Sequence, residues 1–122
     1  MSVVHRLLVA SPDAEVGPAL EGAFGARLAV TSVASVDEAL AQLGARYYPL
    51  VLADEALEGR GGVRLLGEVQ RRWPSTRRVL VSDRNVPDLD ELEATGVVEL
   101  FLPKPLDPED VDGYLLGPSG WR

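Results

Sequence analysis

The 122-residue chain is long enough for one domain with a single hydrophobic core and too short for two. A formal charge of -7 argues against a nucleic-acid surface, because duplex binding depends on clustered lysine and arginine contacts to phosphate. The absence of cysteine excludes disulfides, thiolate metal sites and a cysteine nucleophile. No apolar run approaches the ~20 residues of a membrane span and no signal-peptide layout is present, so we expect no membrane association and a cytoplasmic location.

The first part of the chain alternates strand-like and helix-like segments. Leu7–Ala10 is a short apolar run, and a helix is predicted after it to about Phe24. Pro18 is expected in the first turn of that helix or at a kink, because proline removes a backbone donor. Leu28–Val33 alternates enough for a half-buried strand. Ser35–Glu38 then has the spacing of a capping box, which predicts a helix start.

The central segment is Leu50–Asp54, four apolar residues that end in a carboxylate. Such a run is typical of a strand buried on both faces of a parallel sheet. A glycine-punctuated loop leads to a predicted helix over Val63–Trp73. Further strands are predicted at Arg78–Ser82 and Val97–Leu102, separated by a short helix near Leu89–Thr95 that ends at a glycine.

Five strand-helix units with short connections predict an α/β fold, a three-layer, doubly wound, five-stranded parallel sheet. The expected strand order is flavodoxin-like, 2-1-3-4-5. A last helix is predicted to open at Asp107–Asp110, with a proline in its first turn. We expect one domain over residues 1–116 and a C-terminal tail or linker over 117–122, with the chain cut from a longer protein that carries an output domain.

Polar side chains follow four of the predicted strands. In a flavodoxin-like sheet the carboxyl ends of these strands meet at one crevice. An aspartate, a hydroxyl and a lysine gathered there would provide a phosphoryl acceptor, a hydrogen-bond donor and a compensating cation. Asp54 has an equally plain structural interpretation as a turn or helix-capping residue, and this stretch alone leaves both open. The strand-end residues are Ser11, Asp13, Asp54, Ser82 and Lys104.

Four motifs in order make the chain similar to the receiver domain of two-component response regulators. The resemblance runs from about Arg6 to Leu115, nearly the whole chain. It implies phosphorelay signal transduction as the function. The motifs are Leu50–Asp54, Leu57–Val63, Val79–Ser82 and Phe101–Pro105 with Asp107 following.

The resemblance also implies residue roles. Asp54 matches the phosphoryl acceptor, Ser82 the hydroxyl that follows the phosphoryl group, and Lys104 the lysine that pairs with either. Phe101 matches the aromatic switch residue, although its alternative is an ordinary core side chain. The bond from Lys104 to Pro105 is expected to be cis, which costs about 0.5–1 kcal/mol relative to trans at proline.

One departure affects the metal site. The family places two adjacent acids after the first strand, which hold Mg²⁺ together with the acceptor aspartate, whereas this sequence has Ser11 and Pro12 there. Mg²⁺ prefers oxygen ligands that include one or two carboxylates, so we expect its binding to be weak or absent. Asp54 and, weakly, Asp13 are the remaining metal ligands, although Asp13 is better placed to cap the next helix. The predicted function is therefore an atypical receiver with an impaired Mg²⁺ site.

Two other functions remain open at this stage. One is a protein-protein interaction module on a receiver fold that works without phosphorylation. The more distant one is a phosphatase-like hydrolase with Asp54 as nucleophile, but such enzymes need an acid two residues later, where Ala56 stands. We therefore predict no enzymatic activity. Glu55 and Glu58 are expected to be solvated loop acids, close enough to Asp54 to influence its protonation or to ligate a metal.

The expected partners follow from the resemblance. They are a histidine kinase or phosphotransfer protein, and an output domain or partner protein that docks on the face of the fourth helix, fifth strand and fifth helix. The acids around that face would prefer a basic partner, and the same patch could form a homodimer. Its alternative is an ordinary solvated helix face. The apolar residues of the patch are Leu89, Leu92, Leu100 and Val111.

Overall fold

A computed structural model describes residues 5–58 and 60–106. The predicted last helix and the domain boundary at residue 116 lie outside this range and stay predictions. Within the described ranges the chain forms five strands, four α-helices and one 3₁₀ turn. In chain order they are β1 His5–Ala10, α1 Val16–Phe24, the 3₁₀ turn Gly25–Arg27, β2 Leu28–Val33, α2 Val36–Ala45, β3 Leu50–Asp54, α3 Gly61–Arg72, β4 Arg77–Ser82, α4 Leu89–Ala94 and β5 Leu100–Pro103.

The strands form one parallel sheet in the order β2-β1-β3-β4-β5. This is the predicted 2-1-3-4-5 order, and it is confirmed. The order reverses between β1 and β3, so the carboxyl ends of these strands flank the crevice where ligands of open α/β sheets bind. Asp54, the last residue of β3, lies opposite Val81 of β4 in the register.

Two apolar clusters cover the two faces of the sheet. Because side chains alternate along a strand, Val51 and Ala53 belong to one cluster, while Leu50 and Leu52 belong to the other. The first cluster includes buried residues of α2 and α3, and the second includes Val16 and Leu20 of α1. Both faces are thus covered by helices, as the uninterrupted apolar run of β3 predicts.

The starts of α1 and α2 and the end of α4 agree with the sequence patterns. The side chain of Ser35 accepts a hydrogen bond from the Glu38 backbone N–H at 3.1 Å, which confirms the predicted cap of α2. Pro18 lies in the first turn of α1, where its missing N–H has no intrahelical partner to lose. At the other end of a helix, Gly96 follows α4 with a φ of +83°, as predicted for a helix terminator.

Two predicted boundaries are wrong. Helix α3 begins at Gly61, so the last two glycines of the presumed loop are helical. Strand β5 begins at Leu100 instead of Val97. The Val98 backbone N–H donates to the carbonyl of Leu92 at 3.1 Å, so the start of the predicted strand is bonded to α4 instead of to the sheet. Among the described residues no helix combines the length and apolar character needed to cross a membrane.

Candidate functional site

Backbone hydrogen bonds carry the sheet one residue beyond its strands and position the site. The N–H of Ser11 donates to the Val33 carbonyl at 3.0 Å, and the N–H of Glu55 donates to the Val81 carbonyl at 2.8 Å. The N–H of Lys104 likewise donates to the carbonyl of Ser82 at 2.9 Å. Backbone bonds alone therefore hold residues at the carboxyl ends of all five strands together at one edge of the sheet.

The Asp54 carboxylate is the centre of this site and is only 1% exposed. Its Oδ2 accepts hydrogen bonds from Ser11 Oγ at 2.7 Å and from Lys104 Nζ at 2.5 Å. Its Oδ1 accepts the backbone N–H of Ala56 at 3.0 Å. Three donors and one positive charge thus compensate a buried carboxylate, as its desolvation requires.

Lys104 brings the compensating charge, and its side chain is 17% exposed. Burial by itself lowers the pKa of Lys104, but the hydrogen bond and negative charge of Asp54, with a smaller contribution from Asp13, outweigh burial and raise this pKa above its usual value. Asp13 Oδ2 lies 3.5 Å from Lys104 Nζ. A cavity of about 410 Å³ opens beside this lysine, lined also by Asp83 and Leu106.

Asp13 acts mainly on its own helix entry. Its Oδ1 accepts the backbone N–H of Glu15 at 3.0 Å, and that bond, followed by the nearby Lys104 charge, lowers the pKa of Asp13 despite an opposing effect of desolvation. The backbone N–H of Asp13 in turn donates to Ser11 Oγ at 3.0 Å. This turn joins the end of β1 to the start of α1, but Asp13 does not cap the helix as predicted, because Glu15 is the N-cap residue and its side chain makes no capping bond.

The donor set does not fit Mg²⁺. The described residues contain no group of three acidic, histidine or cysteine side chains placed to hold a metal ion. The Oδ2 atom of Asp54 already accepts from a hydroxyl and an ammonium group, and Mg²⁺ demands a near-octahedral set of oxygens. Ser11 stands where an acid is expected. It donates a hydrogen bond to Asp54 and does not provide a second carboxylate.

Ser82 lies at the predicted edge of the sheet, but its hydroxyl does not donate to Asp54. Ser82 Oγ donates to Glu55 Oε1 at 3.4 Å and accepts the backbone N–H of Arg84 at 3.2 Å. The expectation that Glu55 is a solvated loop acid is wrong, because this side chain is 3% exposed. Arg84 Nε lies 3.1 Å from Glu55 Oε1, and Arg60 Nε lies 3.4 Å from Glu55 Oε2.

Glu58, the other presumed loop acid, is exposed but structurally engaged. Its Oε1 accepts the backbone N–H of Val36 at 2.6 Å and thereby caps α2 from a separate loop.

Arg60 also contacts Asp88, with 2.6 Å between Arg60 Nη2 and Asp88 Oδ1. This hydrogen bond raises the pKa of Arg60 and lowers the pKa of Asp88. The loops after β3 and β4 are therefore joined by ion pairs.

Two further predictions concern the end of β5 and the residues that follow it. The peptide bond between Lys104 and Pro105 is cis, as predicted. Phe101 is half-buried and packs against the cluster on the α2 and α3 face. Its role as a switch residue stays a prediction.

The sequence analysis placed Glu55 close to Asp54 but expected it to be solvated, and it missed Arg60 and Arg84 as parts of the site. The signal that could have found Glu55 is its place directly after Asp54, since sheet pairing continues through its backbone N–H. The two arginines lie on loops whose folding the sequence patterns did not predict. Their convergence on one carboxylate is a tertiary property.

No family model matches the sequence. The hydrogenase transcriptional regulatory protein HoxA of Cupriavidus necator is 33% identical over 76 residues, which is 62% of this chain and 16% of HoxA. The chain thus spans about a sixth of the length of this curated relative. Among solved structures, the signal receiver domain of an HD domain-containing protein from Pseudomonas fluorescens Pf-5 has a TM-score of 0.79 at 20% identity, over 89% of both chains. The chain has the receiver-domain fold.

A second solved structure with the same fold is a response regulator. It comes from Burkholderia pseudomallei and has a phosphorylated aspartic acid, a calcium ion and citrate. Its TM-score to this chain is 0.78 at 20% identity, covering 89% of this chain and 65% of that one. The receiver fold predicted from the sequence motifs is therefore confirmed, while the roles of individual residues rest on the geometry of this chain.

Proposed function

We propose that this chain is an atypical receiver domain in phosphorelay signal transduction, with Asp54 as the phosphoryl acceptor. One observation carries the proposal: a nearly fully buried aspartate at the carboxyl end of the central strand contacts a lysine ammonium at 2.5 Å. The likeness to a response regulator with a phosphorylated aspartic acid and to a transcriptional regulatory protein supports the same function.

The proposed reaction is a phosphoryl transfer from a histidine kinase or phosphotransfer protein. An oxygen of the Asp54 carboxylate attacks phosphorus and forms an acyl phosphate, while the bond from phosphorus to the donor nitrogen breaks and the histidine retains the electron pair. Lys104 would then balance the charge of the phosphoryl oxygens. The cavity beside Lys104 offers an approach for the donor.

We propose that Mg²⁺ binding is weak or absent, because the described residues contain no cluster of three ligating side chains and the two available carboxylates, Asp54 and Asp13, both pair with Lys104. A bound Mg²⁺ would neutralise charge between the phosphoryl oxygens and the acceptor. Without it, phosphorylation of Asp54 should be slow. A hydroxyl from Ser11 and a cation from Lys104 then provide the compensation that this chain itself contains.

Labelling with a small phosphodonor tests the acceptor. We expect slow acid-stable, base-labile label on the wild-type protein and none on the Asp54→Ala variant. Asp37→Ala is the control, since it removes an exposed carboxylate in the first turn of α2 and should retain the label. Equal labelling of wild type and Asp54→Ala would contradict the assignment.

Titration of Mg²⁺ with beryllofluoride, followed by tryptophan fluorescence or amide chemical shifts, tests the metal. We expect no saturation at ordinary Mg²⁺ concentrations. The Ser11→Asp, Pro12→Asp double variant restores two acids and should saturate. Tight saturable binding by the wild type would contradict the proposed metal defect.

The second candidate is an interaction module that works without phosphorylation. It is favoured by the state of the site, in which both Asp54 oxygens and the Ser82 hydroxyl already have partners. If neither the wild type nor any variant is labelled, this function is favoured. An aspartate-nucleophile hydrolase is disfavoured because Ala56 contributes only a backbone N–H to Asp54 and has no acidic group. We propose that the chain has no enzymatic turnover of its own.

The docking surface and the cellular location remain proposals. Of the proposed face, Leu89 and Leu92 are partly buried against the core, Leu100 packs against the second cluster, and Val111 lies outside the described residues. We propose that an output domain or a basic partner protein docks there, with a homodimer as the alternative that light scattering distinguishes. A cytoplasmic location stays a prediction from the sequence.

A further inference from the structure

The buried carboxylate of Glu55 lies next to the proposed phosphoryl acceptor in the chain and has partners from two loops. Glu55 is 3% exposed, whereas Arg60 and Arg84 are 49% and 65% exposed. Both arginines therefore close over the carboxylate from the solvent side. Burial of a charged group without such partners would be strongly unfavourable, so the folded loops depend on these contacts.

The two hydroxyls at the site serve different carboxylates. The Ser11 hydroxyl donates a hydrogen bond to Asp54 at 2.7 Å, and the Ser82 hydroxyl donates one to Glu55 at 3.4 Å. A serine hydroxyl has a single proton, and Ser82 Oγ also accepts the Arg84 backbone N–H at 3.2 Å. A phosphoryl group on Asp54 would have to compete with Glu55 for the Ser82 proton.

We propose that Glu55 is a positioning residue that holds the Ser82 hydroxyl and, through Arg60 and Arg84, joins the loops after β3 and β4 while Asp54 is unmodified. The resident carboxylate thereby keeps these loops in place without a phosphoryl group. The ion pair of Arg60 with Asp88 extends the same connection to the start of α4. The regulatory consequence, a small response of these loops to phosphorylation, rests on the proposed function of Asp54.

Glu55→Gln is the direct test, because glutamine keeps the size of the side chain and removes its charge. In the unmodified protein, the amide resonances of Arg60 and of the loop at residues 82–88 should shift and broaden. Glu68→Gln is the matched control, since Glu68 also pairs with two arginines, Arg71 and Arg72, but lies on α3 away from the site. Loop resonances that change no more in Glu55→Gln than in Glu68→Gln would overturn the proposal.

The response to a phosphodonor separates positioning from a merely structural contribution. With the Ser82 proton released and one negative charge removed, Glu55→Gln should label on Asp54 about 2- to 10-fold faster than wild type, the range that one hydrogen bond supplies. Its loop resonances should also move further on labelling. A labelling rate equal to or below that of wild type would contradict the competition for Ser82.

Arg84→Gln keeps the test valid if Glu55→Gln does not fold. Arg84 is mostly exposed, so its replacement should leave the fold intact while releasing one side of the carboxylate. It should shift the same loop resonances, and unchanged resonances would count against the proposal. If neither wild type nor Glu55→Gln is labelled, the proposed function of Asp54 fails, but the comparison of unmodified proteins still decides whether Glu55 positions the loops.

Discussion

At the scale of single residues, Asp54 and Lys104 differ in how well each tolerates the loss of the other. Asp54 is 1% exposed, whereas Lys104 is 17% exposed, faces a cavity and lies 3.5 Å from a second carboxylate on Asp13. A buried charge that loses its partner retains its full desolvation cost. The pair is therefore asymmetric.

We expect Lys104→Met to lower the free energy of unfolding by about 1–3 kcal/mol, because Asp54 keeps only the donors Ser11 and Ala56. Asp54→Asn should cost less, since Lys104 can turn toward Asp13 and solvent. In the Lys104→Met background, Asp54→Asn should be neutral or stabilising. Urea denaturation of the two single variants and the double variant measures this coupling, and strictly additive effects would show that the two side chains do not interact.

At the scale of elements, α3 can pack closely against the end of β3 because Gly62 has no side chain. A Cβ added at Gly62 would lie 2.1 Å from the Asp54 carbonyl oxygen and 2.6 Å from its carbonyl carbon. These are backbone atoms of the sheet and cannot move aside as a flexible side chain does. Gly62 thus allows the helix to start directly behind the proposed acceptor.

Gly62→Ala should destabilise the protein by about 1–3 kcal/mol or more, as expected for overpacking against rigid backbone. Gly67→Ala is the matched control within the same helix, because a Cβ there would meet nothing within 4 Å. That control should be stabilising by about 0.4–1 kcal/mol through reduced freedom of the unfolded chain. Thermal melting of both variants checks the prediction, and a Gly62→Ala protein as stable as wild type would refute the close approach.

At the scale of the whole molecule, the free energy of unfolding should depend on pH, because two aspartates have lower pKa values in the folded protein than in the unfolded chain. The hydrogen bond from Arg60 lowers the pKa of Asp88, and the backbone N–H of Glu15 lowers the pKa of Asp13. A lowered pKa in the folded state stabilises the protein at pH values above the unfolded value of about 3.9. This contribution is lost as the pH falls through that value toward the folded pKa.

We therefore expect the free energy of unfolding to fall as the pH is lowered below about 4, and to fall less steeply in Asp88→Asn. The difference should be small and should shrink with salt, because Arg60 and Asp88 are both partly exposed. Asp90→Asn removes the same charge two residues away and is the control. Urea titrations at several pH values measure the effect, and an unchanged slope in Asp88→Asn would contradict it.

The local sequence determined the elements and limited the orders in which the strands can pair. Apolar runs such as Leu50–Asp54, the capping box at Ser35 and the terminating Gly96 are signals that act over a few residues, and the short crossovers allow few sheet orders. The edge that holds Asp54 and Lys104 followed from this order. It could be predicted because parallel strands place their carboxyl ends together.

Only the tertiary structure decided how the charges at that edge are shared. Glu55 and Arg60 lie on the loop after β3 and Arg84 lies on the loop after β4, and nothing in their spacing indicates that the arginines meet a buried carboxylate. Whether the Ser82 hydroxyl donates to Glu55 or to Asp54 depends on how these side chains are oriented at the edge of the sheet. Contacts of this kind are set by packing across residues distant in sequence, so periodicity and local motifs carry no record of them.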